Sequence, residues 1–348
     1  MIEIDGSFGE GGGQILRTSL ALGAVTKKPF KIYNIRSKRP NPGLAAQHLH
    51  AIKSVASICD AKVTGLKIGS QEITFEPGKI KGGDMVIDVG TAGSVTLILQ
   101  ALLPVLSFAE EESSIKLIGG TDVQWSPPID YFKNVTLSAL SLMGIRCKVE
   151  LVRRGHYPKG GGIVNAYIEP CSGLKKIEAL GNEFNKIKGI SYCTKLPRHV
   201  SDRQANSAEK FLRDHGISCE IEREFSSSRD PGVSPGSGIV LWVDSKKVFL
   251  GASCLGKKGV PAEKIGIEAS KKIFDMVKSN PGTDPHLADQ IIPYMALAEG
   301  RSKISTSMFS KHALTNIYIT EKFLNCKFEV GGGLDRFSTI EVDGVGLE

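Results

Sequence analysis

The chain has 348 residues, 41% hydrophobic and 23% charged, which is ordinary for a globular protein and leaves room for two or three domains. Lys and Arg (44) outnumber Asp and Glu (37), and the net charge of +7 fits a polyanionic partner without requiring one. The seven scattered cysteines form no CxxC pair, which argues against a disulfide framework or a zinc site and for a reducing compartment.

The N-terminal MIEIDGSFGEGGG lacks the basic start and apolar run of a signal peptide. No stretch reaches the ~18 apolar residues of a membrane span. A cytoplasmic protein with no membrane partner is expected.

In chain order, residues 1–5 alternate as a strand and run into Gly6 and Gly11-Gly12-Gly13; a helix follows over 14–25 and a strand over 30–35. Asn41 as N-cap with Pro42 at the first helical position predicts a helix to about 58, then strands at 62–68 and 72–75. The same order recurs. A strand at 85–88 leads into Gly90-Thr91-Ala92-Gly93, a helix over 94–106 and a strand over 114–118. Ser126-Pro127 opens a helix to about 143, followed by strands at 147–152 and 163–168. A third copy has a strand at 174–179, a helix at 286–298, a strand at 303–306, a helix after Ser310, and strands at 326–330 and 337–342.

The residues between 179 and 286 fit no repeat and read as an α/β insert. Its strands fall at 187–196 and 219–224 and near Val240 and Phe249, with helices at 202–215 and 262–277. The Ser-, Gly- and Pro-rich 226–238 reads as a mobile loop. Each repeated unit is one four-stranded sheet with two helices on one face. Such a unit cannot bury its core alone, whereas three packed helix to helix can. The expected organisation is a large domain over 1–182 and 279–348, built of units at about 1–80, 81–170, and 171–182 plus 279–348, with a small inserted α/β domain over 183–278.

Four clusters could carry chemistry. In Gly9-Glu10-Gly11-Gly12-Gly13-Gln14 with Arg17, a Cβ-free loop opens a helix, so backbone N–H groups can meet an anion and Glu10 can meet a divalent ion. A tight turn with an exposed Glu and Arg would look the same. Arg36, Lys38 and Arg39 stand beside a helix start, with Gln47 and His48 following, as a phosphate-attracting patch or a solvated basic loop. Arg153-Arg154-Gly155-His156-Tyr157-Pro158-Lys159 joins two strands; cations and aromatics together suit a phosphate and a stacked base, or an ordinary surface hairpin. The fourth cluster pairs His286-Leu287-Ala288-Asp289-Gln290 with Ser310-Lys311-His312. With Ser310 as N-cap, His312 sits at the second helical position, where the helix dipole favours the neutral, nucleophilic imidazole. A solvated helix-end histidine is the alternative.

Taken in order, GEGGGQILRT, NPGLAAQHL, GTAGS with LQALLP, GGTD, YPKGGG, PRH with Arg203, HLADQ and KHALTNI resemble the RNA 3′-terminal phosphate cyclase family over nearly the whole chain. The resemblance implies an α/β fold of α+β type. Three units would resemble the C-terminal domain of bacterial translation initiation factor three, with a smaller α/β insert. It implies a ligase that closes an RNA 3′-phosphate end to a 2′,3′-cyclic phosphate through enzyme-histidine-AMP and RNA(3′)pp(5′)A intermediates. By the family pattern His312 is the nucleophile. Gln100, Pro128, His286, Leu287, Ala288, Asp289 and Gln290 hold ATP. Arg17, Arg36, Arg39 and Gln47 hold phosphates or the RNA end, and Glu10 meets Mg²⁺ or Mn²⁺. His286 stands where some members carry Tyr or Glu, which leaves the role of its side chain open. A homodimer is left open as well.

Three other readings compete. The non-catalytic cyclase-like RNA-binding proteins of ribosome assembly lack the nucleophilic histidine, which His312 supplies here. An enolpyruvate transferase shares the repeat fold but not the nucleotide features at HLADQ and His312. A plain RNA-binding module would explain the charge but not that pairing. The sequence assigns no role to Pro197-Arg198-His199 or Arg203.

Overall fold

The computed structural model describes residues 1–181, 184–227, 229–230 and 232–347. The expected domain edge at 182–183 lies outside them, as do positions 228 and 231 of the expected 226–238 loop. Of that span, residue 226 ends one strand and 236 begins the next.

The first sheet gathers β1 (Ile2–Asp5), β2 (Phe30–Tyr33), β3 (Lys62–Thr64) and β4 (Ile73–Glu76), with α1 (Gly13–Thr26) and α2 (Ala46–Ile58) between its strands. Its order is β1-β2-β4-β3, one parallel pair followed by two antiparallel ones. The second holds β5 (Gly83–Asp88), α3 (Val95–Leu106), β6 (Ser113–Gly119), then α4 (Ile129–Tyr131) running through a π-helical turn over 132–136 into α5 (Leu137–Leu142), and β7 (Arg146–Arg153) and β8 (Gly162–Glu169). Its order, β5-β6-β8-β7, repeats the first.

After the short β9 (Glu178–Ala179) comes a different sheet: β10 (Ile187–Thr194), α6 (His199–Asp214), β11 (Cys219–Ser226), β12 (Gly236–Val243), β13 (Gly251–Leu255) and α7 (Ala262–Ser279), in the order β11-β10-β12-β13. The chain then supplies α8 (Pro285–Leu297), β14 (Glu299–Thr306), α9 (Lys311–Phe323), β15 (Phe328–Gly331) and β16 (Ser338–Val345). These strands pair with β9 as β9-β14-β16-β15, again one parallel and two antiparallel pairs. The molecule is thus a mixed α/β protein of four-stranded mixed sheets, three of which share one strand order.

α1 packs against α2, α3 and α9, and α8 packs on α9. This position explains why α1, GQILRTSLALGAVT, is apolar nearly all round: residues 18 to 25 are buried without a break. A second core lies between α6, α7 and the 187–255 sheet, built on Ile187, Leu212, Ile221, Leu241, Ile265 and Ile273. Among the described residues no helix is long and apolar enough to cross a membrane.

Three expectations about local structure need correction. Asn41 and Pro42 do not open α2, whose N-cap is Ala45. The loop instead folds back on the 65–71 turn: Gly43 N–H donates to the Ile35 carbonyl and Leu44 N–H to the Ser70 carbonyl. Gly43, at φ +81°, presses on the Gly69 backbone where a Cβ would not fit. The His48 ring then replaces the missing cap, Nδ1 accepting from Ala45 N–H at 3.0 Å.

Ser126 likewise does not cap the next helix. Pro128 does, because Ile129 N–H is taken by the Thr121 carbonyl and the Pro127 carbonyl by the Thr96 hydroxyl. Arg154 is not a hairpin cation offered to solvent. It is 1% exposed, with Nη1 2.8 Å from Asp130 and 3.2 Å from Asp122, its other nitrogens on Glu224 at 2.7 Å, and its plane over the Tyr192 ring at 3.8 Å. Burial works against its charge, yet Asp122, Asp130 and Glu224 hold it protonated. Arg203, for which the sequence offered no role, forks onto Glu263 and ties α6 to α7.

Candidate active site

The N-terminal ends of α1, α8 and α9 converge on one cavity of about 420 Å³, within the size range of ligand pockets. α9 starts as expected. Ser310 Oγ accepts from Ala313 N–H at 3.0 Å, which places His312 at the second helical position. α8 starts on Asp284, which is fully buried and accepts from His286 N–H, Leu287 N–H, Gly251 N–H and the Tyr131 hydroxyl, all at 2.8–3.0 Å. α1 starts on Gly12 with no side-chain cap, the kind of helix end whose N–H groups suit an anion.

Two prolines shape the cavity wall. Pro293 in α8 cannot donate to the Asp289 carbonyl four residues back, and Asn316 Nδ2 of α9 donates there instead. Asn316 Oδ1 in turn accepts from the Thr18 hydroxyl of α1 at 2.7 Å, so one side chain ties the three helices together. Pro104 in α3 does the same to the Gln100 carbonyl, and both residues line the cavity.

Gln14 sets the state of His312. Its Nε2 donates to the His312 carbonyl at 3.2 Å, so its Oε1 faces the ring and accepts a hydrogen bond from Nδ1. The proton of the neutral imidazole therefore sits on Nδ1, and the Nε2 lone pair is free. Nε2 lies 3.4 Å from Glu10 Oε2. Burial lowers the pKa of His312; Arg17, His286 and Arg39 add to the effect, and Glu10 opposes it. Desolvation is thus the first cause that favours the neutral imidazole, ahead of any charge around it.

Arg17, one turn into α1, is pushed down to about 10 by burial against the pull of Asp289, and stays a cation at neutral pH. Burial pushes the Asp289 carboxyl up against Arg17. The Gly9–Gly13 loop needs its glycines. A Cβ on Gly9, at φ +57°, would stand 2.4 Å from Thr315 Oγ1, and one on Gly13 would meet His48 Nε2 at 2.4 Å. His48 is held neutral, its pKa pushed down to about 3 by burial and by Arg17 and Arg36.

The expected residues divide into three groups. Arg17, Gln100, Pro128, His286, Asp289, Gln290 and His312 share the cavity lining. Leu287 and Ala288 are fully buried and their N–H groups are taken by Asp284 Oδ1 and the Asp284 carbonyl, so the expected contact of these two residues with ATP is not available. Glu10, Arg36, Arg39 and Gln47 stand outside the lining. Arg39 lies 3.7 Å from Glu10, and Gln47 packs beside Gly93. Arg36 adopts φ +52° and donates to the Gly43 carbonyl at 2.9 Å, bracing the basic loop from within.

The sequence reading missed Gln14, Asn316 and Trp125 as site residues. Nothing local pairs position 14 with 312 or 18 with 316. Trp125 is 94% exposed at φ +59° on the cavity rim, and a tryptophan beside Ser-Pro-Pro was the signal available for it.

Among the described residues no three His, Cys, Asp or Glu side chains group as a metal cluster. Glu10 contributes one carboxylate beside His312 Nε2, which fits a hard cation completed by phosphate oxygens and water.

The family model for RNA 3′-terminal phosphate cyclase matches residues 8–330. A cyclase of that name from Pyrococcus furiosus is 49% identical over 345 residues, 98% of each chain. One from Methanopyrus kandleri is 49% identical over 346 residues, 98% of each chain, and one from Korarchaeum cryptofilum 47% over 347, covering 100% of this chain and 99% of that one. The solved enolpyruvyl transferase NikO from Streptomyces tendae aligns at 14% identity and a TM-score of 0.30 over 54% of this chain and 34% of that one, a likeness too slight to inform the chemistry. With matches of this extent, the chain belongs to the RNA 3′-terminal phosphate cyclase family.

Proposed function

We propose that this protein converts an RNA 3′-phosphate end to a 2′,3′-cyclic phosphate at the expense of ATP, with His312 as nucleophile. The observation that carries the reading is the Gln14 bond to Nδ1, which leaves Nε2 unprotonated among Arg17, Glu10 and Arg39. Nε2 attacks the α-phosphorus of ATP; the N–P bond forms as the bond to pyrophosphate breaks. The ring becomes a cation that keeps its Nδ1 proton, and the Gln14 carbonyl is already in place to hold it. Arg17 balances the developing phosphoryl charge. The RNA 3′-phosphate oxygen then takes the AMP and returns neutral imidazole. The neighbouring 2′-OH attacks the 3′ phosphorus, loses its proton to solvent, and AMP departs. Only RNA offers that hydroxyl.

Gln100, Pro128, His286, Asp289 and Gln290 would hold ATP in the cavity that they line. Arg36, Arg39 and Gln47 would hold the RNA end on the Glu10 side. Mg²⁺ or Mn²⁺ at Glu10 would supply charge neutralisation at the phosphates. The shared strand order of three sheets supports reading them as repeats of the initiation factor three C-terminal type, with 183–278 inserted as a separate small domain. Seven free cysteines support a cytoplasmic location.

Incubation with α-labelled ATP and Mg²⁺ or Mn²⁺ tests this. An acid-labile, alkali-stable label on the protein is expected. No label on the wild-type protein would sink the enzyme reading; a label surviving His312→Ala would sink the nucleophile.

A further inference from the structure

The hairpin between β7 and β8 has a tip that the site above does not use. Tyr157 there is 78% exposed, with Pro158 and Lys159 also exposed, while its neighbours Arg154, Gly155 and His156 are buried. The tip is fixed at its base. Gly160 N–H donates to the His156 carbonyl at 2.8 Å, Arg153 Nε to the Gly161 carbonyl at 2.8 Å, and Lys159 N–H to Ser234 Oγ at 3.1 Å. A large aromatic held out to water on a braced loop loses little freedom when something stacks on it.

We propose that Tyr157 is a stacking platform for nucleobases of the RNA strand upstream of its 3′ end; the proposal rests on the cyclase reading above. A series of neighbouring groups leads there from the nucleophile, joined between its two halves by Gly13 against His48, the residue after Gln47. Glu10 touches His312 Nε2, and Arg39 touches Glu10. Arg39 also lies against Gly12, and Gln47, on the helix after the basic loop, packs beside Gly93. Gly160, at φ +73°, presses on the backbone of Thr91 and Ala92. Arg39, Gln47, Thr91 and Tyr157 are all exposed along that line. The carboxylate beside it, Asp88, is occupied by Gly90 N–H at 2.8 Å. None of these residues lines the ATP-sized cavity, so the band suits the strand rather than the nucleotide. Cations along a backbone path with an aromatic face at its end match single-stranded nucleic acid.

The test uses fluorescence anisotropy without ATP, on a labelled decaribonucleotide and a mononucleotide, each 3′-phosphorylated. Tyr157→Ala is expected to weaken decamer binding roughly five- to a hundredfold. It should leave mononucleotide binding, self-adenylation and thermal stability as in wild type, and Tyr157→Trp should restore the decamer. The slope of decamer affinity against salt should not change, because no phosphate contact is lost. Unaltered decamer binding in Tyr157→Ala overturns the proposal, as does an equal loss for the mononucleotide. A wild-type protein that binds the decamer through Tyr157 but never labels with ATP would sink the cyclase chemistry and keep the surface.

Discussion

Two basic loops, 36–43 and 153–162, look alike in sequence and are used in opposite ways. Arg39 is exposed at the edge of the site with one carboxylate at 3.7 Å. Arg154 is sealed among Asp122, Asp130 and Glu224, the last reaching in from β11, and so clamps the 187–255 sheet to the rest of the molecule. A cation in a sequence can serve binding only if the fold leaves it in reach of solvent, not enclosed by several buried carboxylates. Where three acids meet it out of water, the same residue type becomes part of the core.

The difference can be broken by substitution, and the largest effect is expected at the clamp. Arg154→Met should cost about 3–5 kcal/mol in urea unfolding, because it strands buried Asp122 and Asp130. Arg39→Ala, at a half-exposed pair, should cost under about 1 kcal/mol. Equal costs would erase the contrast.

His48, behind the first loop, comes next. Its folded pKa of about 3 lies below the ordinary 6.5, so the unfolded chain binds the extra proton between those values. Stability is whole above pH 6.5 and is lost as pH falls toward 3, by up to roughly 4 kcal/mol. His48→Gln, which can still accept from Ala45 N–H, should flatten that acid slope in urea titrations at pH 7, 5 and 4.

On activity, Arg39→Ala should slow transfer of AMP to a 3′-phosphate end by about tenfold or more while self-adenylation changes little. Equal losses in the two steps would remove Arg39 from RNA binding. The smallest effect is the pH profile of self-adenylation. Its acid limb should fall below the ordinary imidazole value of 6.5, since only neutral His312 attacks. Glu10→Gln should move it further down and Arg39→Ala up, because Glu10 raises and Arg39 lowers that pKa. A limb at or above 6.5 in the wild type would show that burial does not keep the ring neutral.

Much of the fold was legible because local rules and periodicity agree with it. Ser310 caps the helix it was expected to cap, and β5, β6, β7 and β8 fall within a residue or two of their expected bounds. Asn41 and Ser126 failed as caps because tertiary hydrogen bonds, to the 65–71 turn and to Thr121, claimed the backbone first.

The sequence by itself determined the family and singled out Glu10, Arg17, Arg39, Asp289 and His312 as candidates. Tertiary structure decided what each can do. It set Gln14 on Nδ1 of His312 across 298 positions, tied Thr18, Asn316 and Asp289 into one bridge, and separated the exposed cation Arg39 from the sealed Arg154. Tautomer, protonation and charge availability depend on which groups meet in space and how much water is left between them. Spacing along a chain carries no record of either.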